Sequence, residues 1–125
     1  MDFDDVIRIG TELPDVEVLT SYGTPALKVR GKAFCRLWGD DERERKGPDV
    51  DGEVLVVFVD AAEKRAWIQT SDGALFDQAH HHGHGAMLVK LDEVDEDLLL
   101  DVLEQSYRLK APRTLLRRLD ELAGR

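Results

Sequence analysis

The sequence predicts an α+β domain with a largely antiparallel sheet, an N-terminal helix and C-terminal helices packed on one side. Three observations predict it. Tyr22 to Trp38 reads as a β-hairpin, Glu53 to Val59 is a continuous apolar run of strand length, and two stretches after Asp92 carry apolar residues at helical spacing. The order helix, strands, helix, strand and two helices fits a sheet with helices segregated to one face. With 125 residues, one domain over 1–125 is expected, large enough to bury about two-thirds of its unfolded surface.

From Asp2 to Leu13, apolar residues at Phe3, Val6, Ile7, Gly10 and Leu13 follow a helical period, with acids in the first turn and Pro14 as the stop. Val16 to Thr20 reads as a short strand or an extended lead-in to the hairpin. In the hairpin, Gly31 supplies the positive φ of a tight connection, and two registers fit. A three-residue loop, Val29-Arg30-Gly31, puts Leu27, Ala33, Cys35 and Leu37 on one face and Lys28, Lys32, Phe34, Arg36 and Trp38 on the other. A two-residue loop at Arg30-Gly31 instead pairs Val29 with Lys32 and Leu27 with Phe34, which mixes the sets. Residues 39–52 carry almost no apolar side chain and are expected to form a loop.

The run from Glu53 to Val59 is expected to be a central strand covered on both faces. Asp60 is the expected cap of a helix from Ala61 to about Gln69, with Ala62, Ala66 and Ile68 inward and Glu63, Lys64 and Arg65 in water. Ser71-Asp72-Gly73 closes it by turn chemistry, and Ala86 to Leu91 reads as another strand. Asp95 is the expected N-cap of a helix with a stripe of Leu98, Leu99, Val102, Leu103 and Tyr107. Pro112 opens the last helix, striped by Leu115, Leu116, Leu119 and Leu122, and Gly124 stops it.

Composition narrows the function classes. Hydrophobic residues at 42% and charged residues at 34% exclude disorder, and no apolar run approaches the length of a membrane span. The acidic start, Met1-Asp-Phe-Asp-Asp5, is unlike a secretory signal, so the cytoplasm is the expected compartment. The one cysteine, Cys35, agrees with a reducing environment, and its alternation with Ala33 and Leu37 suggests packing rather than nucleophilic catalysis. The net charge of −9 opposes nucleic acid on average. The basic residues are nevertheless gathered, with Lys28, Arg30, Lys32, Arg36, Arg43, Arg45 and Lys46 around the hairpin and Arg108, Lys110, Arg113, Arg117, Arg118 and Arg125 in the tail.

Two constellations carry chemistry. Lys28, Arg30, Lys32 and Arg36 can contact phosphates, with Phe34 or Trp38 to stack against bases or to pack beneath the loop. Among the histidines, His80 and His82, or His82 and His84, can share one metal ion, although a closed structural zinc site needs more ligands than these. No cofactor is implied. Asp49 to Glu53 lacks the ligand spacing of a calcium loop.

Tyr22-Gly-Thr-Pro-Ala-Leu-Lys-Val-Arg-Gly-Lys-Ala-Phe34, preceded by Leu13-Pro-Asp-Val-Glu17, resembles the opening signature of the MmcQ/YjbR-like family. Leu88 to Leu91, Val94-Asp95, Leu103 to Tyr107 and Ala111-Pro112 resemble its closing block. The resemblance implies a small bacterial domain with a CyaY-like arrangement, described as a double-wing DNA-binding shape, and a non-enzymatic role with DNA as partner. Gly23, Pro25, Gly31, Lys32 and Phe34 match family positions, with Lys32 the candidate contact. An unknown protein or small ligand is the alternative partner. No membrane partner is expected.

Overall fold

The first helix in the computed structural model, α1 (Phe3–Gly10), is started by a reciprocal cap: Asp2 accepts the Asp5 N–H at 3.2 Å, and Asp5 accepts the Asp2 N–H at 3.0 Å. The structure describes residues 1–42, 50–77 and 85–124. Helix α1 ends at Gly10 rather than running to Leu13, because the chain turns there to bring Leu13 into the core. Gly10 lets the helix approach β2 closely, since a Cβ there would overlap Leu27 Cδ1.

Six strands follow: β1 (Val16–Ser21), β2 (Thr24–Val29), β3 (Lys32–Leu37), β4 (Val54–Phe58), β5 (Leu75–Phe76) and β6 (Ala86–Lys90). They form one antiparallel sheet in the order β1-β2-β3-β4-β6-β5. β4 is central, and Val54 to Val57 are buried on both of its faces, as its unbroken apolar run predicts. Residues 40–42 start a helical turn inside the expected loop.

The β2–β3 connection is the two-residue one. Arg30 and Gly31 both take left-handed φ, 49° and 81°, and Val29 faces Lys32. Leu27 then faces Cys35 and not Phe34, because a bulge places one extra residue in β3. Strict alternation stops at that point, so Phe34 and Cys35 both enter the main core.

That core lies between one sheet face and the helices α1 and α3 (Glu96–Lys110), with Leu115 and Leu119 of α4 (Arg113–Leu122) completing it. Asp95 caps α3 by accepting the Leu98 N–H at 2.8 Å. Its buried stripe is Leu99, Val102, Leu103, Ser106 and Tyr107, with Leu98 only partly covered. Leu122, expected in the last stripe, is 71% exposed: only Leu115 and Leu119 of α4 are buried in the core. Ser106 is the inward polar residue of α3. Its hydroxyl donates to the Phe34 carbonyl and accepts the Phe58 N–H at 2.8 Å, bridging β3 and β4 just beyond the Cys35–Val57 pair.

The short helix α2 (Lys64–Gln69) starts later than the sequence suggests and is turned the other way. Asp60 accepts the Ala62 N–H at 2.9 Å in the turn before it, and Glu63 occupies the cap position. Lys64 points inward, while Ala62 and Ala66 are exposed. The reason is an ion pair: Lys64 Nζ lies 3.1 Å from Asp77 Oδ2 and donates to the Ala86 carbonyl at 3.2 Å, beside the inward-packed Trp67 and Ile68. The second sheet face carries a smaller core of Trp38, Val50, Val54, Val56 and Leu88, with Phe76 and Ala86 against it.

Candidate nucleic-acid interface

The bulge divides the basic and aromatic face that the hairpin sequence offered. Phe34 is fully buried, edge-to-face with Tyr107 at a centroid distance of 5.5 Å. Trp38 is 6% exposed and packs on Phe76 on the opposite side of the sheet. Neither ring is presented for stacking, because core packing takes up both. Arg36 is held by Glu42 through a fork of 2.6 and 2.8 Å and lies 5.3 Å from the Tyr22 ring. Lys28 is half-buried opposite Glu17 of β1. Arg30 and Lys32 stay exposed at the β2–β3 turn.

The exposed cations of the hairpin meet those of the tail at Asp15. Arg30 donates to Asp15 Oδ2 from Nε at 3.1 Å and from Nη2 at 2.9 Å, while Arg118 Nη1 of α4 stands 3.6 Å from Oδ1 of the same carboxylate. Asp15 reaches this position from a left-handed turn, φ 59°, directly after the buried Pro14. Its carboxylate is shared between two guanidinium groups, and with Lys32 at the neighbouring turn this end of the molecule carries surplus positive charge.

Tyr107 reports the same gathering from inside. Its hydroxyl donates to the Pro14 carbonyl at 2.7 Å. Burial pushes its phenol above the usual value, Asp15 adds to the rise, and Arg118 and Arg30 oppose it. Arg118 was visible in the sequence only as part of a basic tail. Its pairing with a residue near the N-terminus has no local signature.

Cys35 is sealed in the core, and burial pushes its thiol up to about 12. Arg43, Arg45, Lys46, Arg125, His80, His82 and His84 lie outside the described residues. Among the described residues no group of three or more His, Cys, Asp and Glu is placed to hold a metal ion, and no helix is long and apolar enough to cross a membrane.

These features define a class: an α+β domain with a six-stranded antiparallel sheet, helices on one face and a basic corner where the β2–β3 turn meets the last helix. The YjbR family profile matches residues 11–109, and the chain belongs to the YjbR family. The fold is similar to that of a protein from Pseudomonas syringae known from a crystal structure, with a TM-score of 0.68 at 13% identity, covering 88% of this chain and 99% of the other. At that identity the likeness concerns the fold alone. No curated protein matches the chain.

Proposed function

We propose that this YjbR-family protein is a non-enzymatic, cytoplasmic protein that binds duplex DNA weakly, through phosphates, at the corner formed by Arg30, Lys32 and Arg118. One observation carries the reading: the two sequence-distant basic clusters converge on one carboxylate, which leaves an exposed cationic corner on an otherwise acidic chain. Lys28 flanks this corner along β2, whereas Arg36, engaged by Glu42, stands apart. Phe34 and Trp38 have no part in it. The net charge of −9 opposes approach and keeps the affinity low.

Fluorescence anisotropy of labelled duplex DNA tests the reading. Three phosphate contacts give a log–log salt slope of about −2.7, so affinity falls about 40-fold between 50 and 200 mM salt. Reversing Arg30, Lys32 and Arg118 to Glu abolishes the binding. Absence of binding at low salt, or full binding by the triple variant, removes the proposal.

A second reading, a protein-interaction module, draws on the edge strand β1. Among the described residues it has a strand neighbour on one side only, and Val18 and Leu19 are 48% and 44% exposed, which suits addition of an extended peptide as a further strand. Val18→Lys would abolish such an interaction while leaving DNA binding intact.

A further inference from the structure

The cationic corner holds an anion of its own. Arg30 meets Asp15 Oδ2 from Nε at 3.1 Å and from Nη2 at 2.9 Å, and Arg118 Nη1 faces Oδ1 at 3.6 Å. We infer that Asp15 is an internal competitor for phosphate, whose carboxylate a ligand must displace and which thereby sets the affinity of the corner. The inference rests on the reading of this corner as a phosphate site and names the residue that governs it.

Chemical likeness is the first support. A carboxylate and a phosphate both present a pair of anionic oxygens, and both are partners for the same planar guanidinium edge. Asp15 takes the Nε and Nη2 edge of Arg30, the side-on edge that a phosphate would also use, and turns its other oxygen to Arg118. The same N–H groups cannot serve both anions fully at once.

The tether is the second. Asp15 follows the buried Pro14, whose carbonyl accepts the Tyr107 hydroxyl at 2.7 Å, and its own backbone turns at a left-handed φ of 59°. The main chain that carries the carboxylate is thus tied to the core through α3. A competitor fixed beside its cations acts at a high effective concentration, which a ligand arriving from solution must overcome.

The third is that the contact can open. Asp15, Arg30 and Arg118 are all exposed, and exposed ion pairs are screened by water and salt and add little to folding. Displacing the carboxylate therefore leaves the fold in place. Asparagine is among the residues enriched at left-handed φ, and glycine takes it freely, so Asp15→Asn and Asp15→Gly remove the charge while keeping the turn.

The test pairs anisotropy of labelled duplex DNA with a titration of inorganic tripolyphosphate. The second probe is read from the Arg30 Nε–H resonance of ¹⁵N-labelled protein, identified by its loss in Arg30→Gln. Asp15→Asn is expected to bind both probes about fivefold more tightly than the parent, and Asp15→Gly to match it. Glu63→Gln controls for net charge: it removes the same charge from an exposed position beside α2, which packs on β5 at the opposite edge of the sheet from β1. Its effect is expected to stay below about twofold, because salt screens a charge that far away. The inference is overturned if Asp15→Asn shows no gain with tripolyphosphate, if neither protein binds tripolyphosphate, or if Glu63→Gln tightens binding as much. If tripolyphosphate shows the gain while duplex DNA is bound by neither protein, the DNA reading falls and the role of Asp15 stands.

Discussion

Replacing Ser106 by alanine deletes one hydroxyl and removes the partner of two backbone groups: the buried Phe34 carbonyl, which accepts from Ser106, and the partly buried Phe58 N–H, which donates to it. Each orphaned group costs about 1–3 kcal/mol, and the small gain from removing a buried hydroxyl offsets little of that. Relaxation of the two strands recovers part, so a net loss of about 2–4 kcal/mol is expected, a large share of the roughly 5–15 kcal/mol that holds a domain together. A domain of 125 residues loses about 4 °C of Tm per kcal/mol. The expected drop is then about 8–15 °C in a calorimetric or circular-dichroism melt. Exchange of the Phe58 amide with deuterium should accelerate more than that of its β4 neighbours, because its protecting bond alone is removed. A Tm within about 2 °C of the parent, with Phe58 protection unchanged, refutes the idea that Ser106 bridges β3 and β4.

Other predictions follow from the same packing. Cys35 should resist thiol reagents in the native protein and react only on unfolding, as a quench of free thiol with and without denaturant will show. Because its folded thiol is raised to about 12 from an ordinary value of 9.0, the unfolded chain releases that proton first. Stability contributed by Cys35 is therefore complete below pH 9 and lost as pH rises toward 12, and the parent should lose stability faster over that window than Cys35→Ala. Gly10→Ala should cost about 1–3 kcal/mol in urea unfolding, since its Cβ would collide with the Leu27 side chain, which is fully buried and must repack or push the helix away. Lys64→Met should cost about 3 kcal/mol by removing the buried ammonium that pairs with the partly buried Asp77, and Lys64→Met with Asp77→Leu should recover part of that loss.

The parts of the fold legible in the sequence are those set by neighbours in the chain. Asp95 announces its helix because a carboxylate at the cap bonds an N–H group three residues away, and Val54 to Val57 announce a central strand because burial on two faces needs no alternation. The family signature from Tyr22 to Phe34 was likewise readable, and the match over residues 11–109 agrees with it.

What the sequence did not disclose depends on partners far along the chain. Two hairpin registers were compatible with Arg30-Gly31. The bulge that buries Phe34 beside Cys35 is stabilised by Ser106, from a helix formed much later. The inward turn of Lys64 depends on Asp77, and the basic corner depends on Asp15 bringing Arg30 and Arg118 together. Local periodicity sets which residues form an element and where it is capped. Which way each element faces was decided only when the tertiary structure satisfied every buried donor, acceptor and charge it could reach.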